Sequence, residues 1–171
     1  MTKPIINIDE VELQPWPAAM APTGSVAERF EARMGLVGKR IGARQLGYNI
    51  TAVPPGKRAF PFHCHHANEE MFVVLQGTGE VRIGDEVYPV RAGDIIACPV
   101  GGKETAHQIV NTGTEEMRYL AVSTKLSPDI AEYPDSGKFG VLAESTAPDG
   151  KSQMFRFVGR SGESLDYWEG N

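Results

Sequence analysis

The chain has 171 residues, 41% hydrophobic and 23% charged, with a formal net charge of −5. That length suits one domain able to bury a core unaided, and the acidic balance argues against nucleic acid as the main partner, since phosphate contacts need a basic face. No apolar stretch approaches the roughly 20 residues that span a bilayer, and the start, Met1-Thr2-Lys3-Pro4-Ile5-Ile6-Asn7, lacks the long apolar core of a secretory signal.

Residues 1–24 read as an extended arm, with a short strand expected over Ile5-Ile6-Asn7-Ile8. A helix is expected from Ser25 to Met34, because Ser25 and Glu28 have the spacing of a capping box and Gly35 and Gly38 follow as stops. From Arg40 to Val122 the pattern changes to short strands separated by glycine or proline. Leu46 to Ala52 alternates as a half-buried strand does. Glu70 to Gln76 is β-branched and aromatic. Val81 to Ile83 and Glu86 to Val90 flank Gly84-Asp85 as a hairpin. Asp94 to Cys98, His107 to Asn111 and Met117 to Ser123 complete the set, which favours an antiparallel barrel or sandwich. The tail beyond carries aromatics that suit packing against the barrel or an interface. Three segments follow: an arm and short helix over 1–39, a barrel over 40–126, and an extension over 127–171 that packs on the barrel.

Cys64 and Cys98 make no disulfide framework, so a reducing cytoplasm is the expected location. Both read as buried small apolar residues.

The chemistry concentrates in the histidines. His63 and His65 are spaced i, i+2, which in a strand puts both imidazoles on one face, roughly 6.5–7 Å apart along the chain. Glu70 arrives at the start of the next strand, and His107 must come from a different one. Three imidazoles and a carboxylate suit one divalent ion of the borderline first-row kind, Zn, Fe, Mn, Ni or Co. Four ligands on an ion that prefers six leave about two positions for water or substrate. Glu69 competes with Glu70 but points to the opposite face. His66 should be exposed and Gln108 should point outward. Gly77, Gly93 and Gly101 read as turn residues with positive φ.

Gly56 to Gly77 resembles the first motif of the cupin superfamily: a glycine, His-x-His, a glutamate after four residues, and a glycine seven positions later. Gly93 to Asn111 resembles the second, Gly-x5-Pro-x-Gly, then His107 and, four residues on, Asn111. The loop Gly102-Lys103-Glu104-Thr105-Ala106 is longer by three residues than that pattern has. The resemblance implies an all-β fold, a single double-stranded β-helix barrel, with His63, His65, Glu70 and His107 as metal ligands. It also implies, with the need to cover sheet edges, a homodimer. The wider resemblance is to bacterial single-domain cupins without an agreed activity.

Two functions fit these residues. One is a metal-dependent enzyme on a small organic substrate, an isomerase, lyase or oxygenase, with Glu104 or Lys103 of the lengthened loop as acid, base or anion anchor. The other is a non-catalytic module that binds a small ligand, or a metal that only stabilises the barrel.

Overall fold

Short runs of alternating burial build the walls of this protein. The computed structural model describes residues 3–170, so Met1, Thr2 and Asn171, at the ends of the expected segments and of the N-terminal stretch, lie outside the described residues. The strands are β1 (Gln14–Pro15), β2 (Arg33–Leu36), β3 (Leu46–Val53), β4 (Cys64–His65), β5 (Glu70–Gln76), β6 (Thr78–Ile83), β7 (Glu86–Arg91), β8 (Ile95–Cys98), β9 (His107–Val110), β10 (Met117–Thr124), β11 (Asp129–Tyr133), β12 (Lys138–Thr146) and β13 (Ser152–Gly159). One four-residue helix, α1, spans Gly38–Ile41.

The first wall is a six-stranded antiparallel sheet in the order β1-β2-β3-β10-β5-β8. The second is made of β7-β6-β9 and β13-β12-β11-β4. These two pieces meet at an antiparallel bridge between His63 and His107. Each residue donates its amide to the other's carbonyl, at 3.2 and 2.7 Å. The result is a double-stranded β-helix. Its core holds Val53, Phe72, Val74, Val81, Ile96, Ile109, Met117 and Tyr119, drawn from both walls.

The strands from Leu46 to Thr124 lie where the alternation expects them. The arm does not follow expectation. Instead of a helix over Ser25 to Met34, a 3-10 turn covers Gly24–Val26, and Arg33–Leu36 is a strand on the edge of β3. The capping spacing of Ser25 and Glu28 loses to sheet pairing and to burial. Val11, Val37 and Ile50 form a second apolar cluster, with Leu13, Ile41, Tyr48 and Leu120 packed around it, and this covers the outer face of the six-stranded sheet. Gly35, read as a helix stop, sits under Val11 with no room for a Cβ. The strand expected at Ile5–Ile8 is likewise absent, and Ile8–Glu10 forms a 3-10 turn capped by the Asn7 side chain.

Two of the three expected positive-φ glycines are found, Gly77 at 80° and Gly93 at 97°. Gly101 is not among the positive-φ glycines. Its requirement is space, because a Cβ there would fall 2.6 Å from Thr105 Oγ1. Asn111 is fully buried and acts as a clamp. Its Nδ2 donates to the carbonyls of Val53 (2.8 Å) and Glu115 (2.7 Å), and its Oδ1 accepts from the Gly113 amide (3.0 Å). These bonds tie the turn before β10 to the end of β3.

Candidate metal centre

Three elements carry the candidate ligands towards one another. The bridge to β9 fixes His63 beside His107, and β4 places His65 two residues on. β5 begins at Glu70, whose partner in β8 is Cys98. Glu70 Oε2 is the focus: His107 Nε2 lies 3.0 Å away, His65 Nε2 3.5 Å and His63 Nε2 3.6 Å. The ligand atoms of His63, Glu70 and His107 all lie within 4.8 Å of one another. The His63 ring is 5.1 Å from that of His65 and 4.7 Å from that of His107, centroid to centroid. Of the four residues that the sequence singled out, His63, Glu70 and His107 form one group at ligand distance, and His65 reaches Glu70 but lies outside that group.

The other ring nitrogens explain the orientation. His63 Nδ1 is 2.8 Å from the Pro61 carbonyl, His65 Nδ1 is 2.6 Å from Asp129 Oδ2, and His107 Nδ1 is 3.4 Å from the Thr105 carbonyl. A carbonyl or an ionised carboxylate has no proton to give, so Nδ1 of His63 and of His65 is the donor. In the neutral rings Nε2 is then an unprotonated lone pair, aimed at the Glu70 carboxylate. Acceptors facing acceptors at this range repel one another unless a cation lies among them. Ligands about 2.1 Å from one ion lie roughly 3.0–3.4 Å apart at octahedral to tetrahedral angles; His107 meets Glu70 in that range, and His65 and His63 stand slightly farther out, at 3.5 and 3.6 Å. The donor set thus fits a divalent first-row ion.

Burial would raise the Glu70 carboxyl, but in the absence of an ion the rings of His107, His63 and His65, when they carry a proton on Nε2 in its place, donate to it or face it with positive charge and hold it well below the usual carboxylate range. It is an anion at any working pH. Asp129 behaves alike: burial pushes up, while hydrogen bonds from Asn68, His65 and the Ala67 amide hold it down.

A cavity of about 220 Å³ opens beside these residues, lined by His65, Asn68, Glu70, Ser123, Thr124, Lys125, Leu126, Ser127, Asp129, Leu142, Glu144 and Met154. Its walls come from the ends of β5 and β10 and from the C-terminal strands. Lys103 and Glu104 do not line it. They form a 3-10 turn, Lys103–Thr105, and Glu104 Oε1 accepts from the Gly102 amide at 3.0 Å. Backbone amides hold the Glu104 carboxyl below its usual range.

The outer face of the ligand strand is different. Cys64 is buried with Phe62 and Ala106, and His66 pairs with Glu132 at 2.8 Å on the surface. Cys64, His66 and Glu132 bring a thiol, an imidazole and a carboxylate within 4.8 Å of one another. The thiol is pushed up by burial and by the charge of Glu132, so it stays protonated there. Cys98 is pushed up to about 12 by burial and by the charge of Glu70. Glu69 is exposed and its backbone amide donates to Thr124 Oγ1 at 3.0 Å. Gln108, expected to point outward, is buried: its Nε2 donates to the Phe60 carbonyl (2.7 Å) and its Oε1 accepts from Arg58 Nη1 (3.3 Å). The segment Arg58–Phe60 covers that face of β9, which an alternation pattern has no means of indicating. Asp129 is the contributor that sequence reasoning missed, since a single aspartate in an irregular tail carries no spacing signal.

The family model for the cupin domain matches residues 49–123, the stretch that supplies His63, His65, Glu70 and His107. Protein SchB of Streptomyces halstedii is 31% identical over 121 residues, covering 70% of this chain and 82% of SchB. The chain belongs to the cupin family. MJ1618 of Methanocaldococcus jannaschii is 32% identical over 71 residues, 42% of this cupin, which spans 54% of that relative's length. Among solved structures, a sugar phosphate isomerase of the cupin superfamily from Silicibacter pomeroyi aligns with a TM-score of 0.74, 22% identity, and coverage of 95% of this chain and 97% of that one. At that identity the likeness concerns the fold alone. It extends beyond the barrel to the C-terminal strands. Among the described residues no helix is long and apolar enough to cross a membrane.

Proposed function

We propose that this cupin is a metal-dependent enzyme acting on a small organic substrate, a sugar or an organic acid, by isomerase, lyase or oxygenase chemistry. The observation that carries it is the convergence of three imidazole Nε2 atoms on Glu70 beside an open cavity. His63, His65, Glu70 and His107 would hold one divalent ion, Zn, Fe, Mn, Ni or Co. Bound there, the ion supplies Lewis-acid polarisation of a carbonyl or carboxylate oxygen.

The protein's own residues do the rest. Glu70 lowers the net charge of the centre and takes one side of it. Leu126, Leu142 and Met154 form the apolar part of the cavity wall, which limits water beside the reacting atoms. Lys125 presents an ammonium on the same wall, matched to a carboxylate or phosphate, and Ser123, Thr124 and Ser127 add hydroxyls suited to a polyol. Lys103 and Glu104 enter only as residues of the neighbouring loop, and unchanged turnover after replacing both removes them from the reaction.

Elemental mass spectrometry on untagged protein is the test. The wild type should carry about one equivalent of a first-row metal and the His63→Ala, His65→Ala variant none. A wild type that stays empty after incubation with each metal overturns the proposal. Bound metal with no turnover of sugars or organic acids, yet a ligand-dependent rise in melting temperature, would favour the ligand-binding reading.

A further inference from the structure

The candidate metal ligands fall within residues 63–107, yet one of them is held by a residue from a strand much later in the chain. We infer that Asp129, on β11 of the C-terminal extension, is a positioning residue that fixes the tautomer and ring orientation of His65 for metal binding. The inference rests on the metal reading above.

The three histidines differ in what holds them. Pro61 and Thr105 restrain His63 and His107 through backbone carbonyls only two residues away, and both carbonyls belong to the barrel segment. His65 is restrained by a carboxylate 64 residues on in sequence, at 2.6 Å, the shortest of the three contacts. Asp129 is itself fixed. It is 5% exposed, and its Oδ1 accepts from the Ala67 amide at 3.0 Å, so it spans both sides of the turn after β4. The backbone holds β11 in register against this strand, with Ala131 opposite His65 and the His66 amide bonded to the Ile130 carbonyl at 2.9 Å. A carboxylate on the far nitrogen of a metal-binding imidazole raises its basicity and locks the ring, and loss of such partners weakens metal binding by roughly 10–100-fold. Tyr133, on the same strand, stacks near the His63 ring at 6.3 Å. The extension therefore contributes to the centre without supplying a ligand.

The test uses the full-length protein and Zn²⁺ in competition with a chromophoric chelator. Asp129→Ala should weaken zinc binding by roughly 10–100-fold. Asp129→Asn keeps an acceptor of the same shape and should fall between that variant and the wild type. In a His65→Ala background, Asp129→Ala should change zinc affinity by less than about two-fold, because the two act through one ring. A merely structural aspartate would instead weaken zinc equally in both backgrounds. Imidazole nitrogen NMR of the metal-free protein gives a second readout, with His65 protonated on Nδ1 in the wild type and shifted towards the other tautomer in Asp129→Ala. If wild type and Asp129→Ala bind zinc equally, the inference is overturned and the metal reading stands. If the wild type binds none, the metal reading itself fails.

Discussion

β10 and β13 are both eight residues long and both rich in apolar side chains, yet they end up in opposite surroundings. β10 lies between β3 and β5, and Met117, Tyr119 and Ala121 alternate into the core. β13 is bonded to β12 alone and leaves Met154, Phe155, Phe157 and Val158 exposed. Both strands carry apolar residues on two faces, so the difference lies in position: β10 has a strand on each side, the core under Met117, Tyr119 and Ala121 and the second apolar cluster over Leu120, whereas β13 is an edge strand. A strand is held by burial in the first case and mainly by its ladder of hydrogen bonds in the second. Both nonetheless border the same cavity, through Ser123 and Thr124 just beyond the buried part of β10 and through Met154 of β13.

Substitutions on the two sides should separate these regimes. The largest effect belongs to the centre anchored in the barrel: Glu70→Ala should reduce bound metal from about one equivalent to none, read by elemental analysis. Next comes the barrel's buried clamp. Asn111→Ala removes two donated bonds and one accepted bond in a site closed to water, and should cost about 2–4 kcal/mol in urea unfolding. Retained stability there would mean that the turn before β10 is held by something else.

A smaller effect should appear in alkali. The Cys98 thiol is raised to about 12 by burial and by Glu70, so the folded state keeps its proton more tightly than the unfolded chain. Its contribution to stability is complete below the unfolded thiol value and is lost as pH rises towards the folded one. Between pH 7 and pH 10 the wild type should lose about 1–2 kcal/mol that Cys98→Ala does not lose. Parallel pH profiles for the two proteins would remove Cys98 as the cause. The smallest effect should come from the extension. Phe155→Ser, on the exposed side of β13, should change stability by no more than about 0.5 kcal/mol. A loss like that of a core aromatic would show that β13 is covered in solution.

The barrel strands and the four candidate ligands were legible in the sequence because each has a period or a spacing behind it. Glu70–Gln76 runs from the predicted first residue to the predicted last. His63 and His65 share a face because strands alternate, and Glu70 and His107 open β5 and β9 on facing walls. The helix expected at Ser25 to Met34 failed because local capping competed with an open sheet edge and an apolar face that needed covering. Gln108 failed similarly, since its outward position is roofed by Arg58–Phe60.

Alternation and turn residues are local properties, so the sequence by itself determined that this chain forms short antiparallel strands and sets His63 and His65 on one strand face, with Glu70 and His107 at the starts of two other strands. The pairing of β11 with β4 depends on chain segments more than 60 residues apart and on no repeating pattern. Only the tertiary structure could decide that Asp129 stands behind His65, that the extension completes the cavity, and that Lys103 and Glu104 lie outside it.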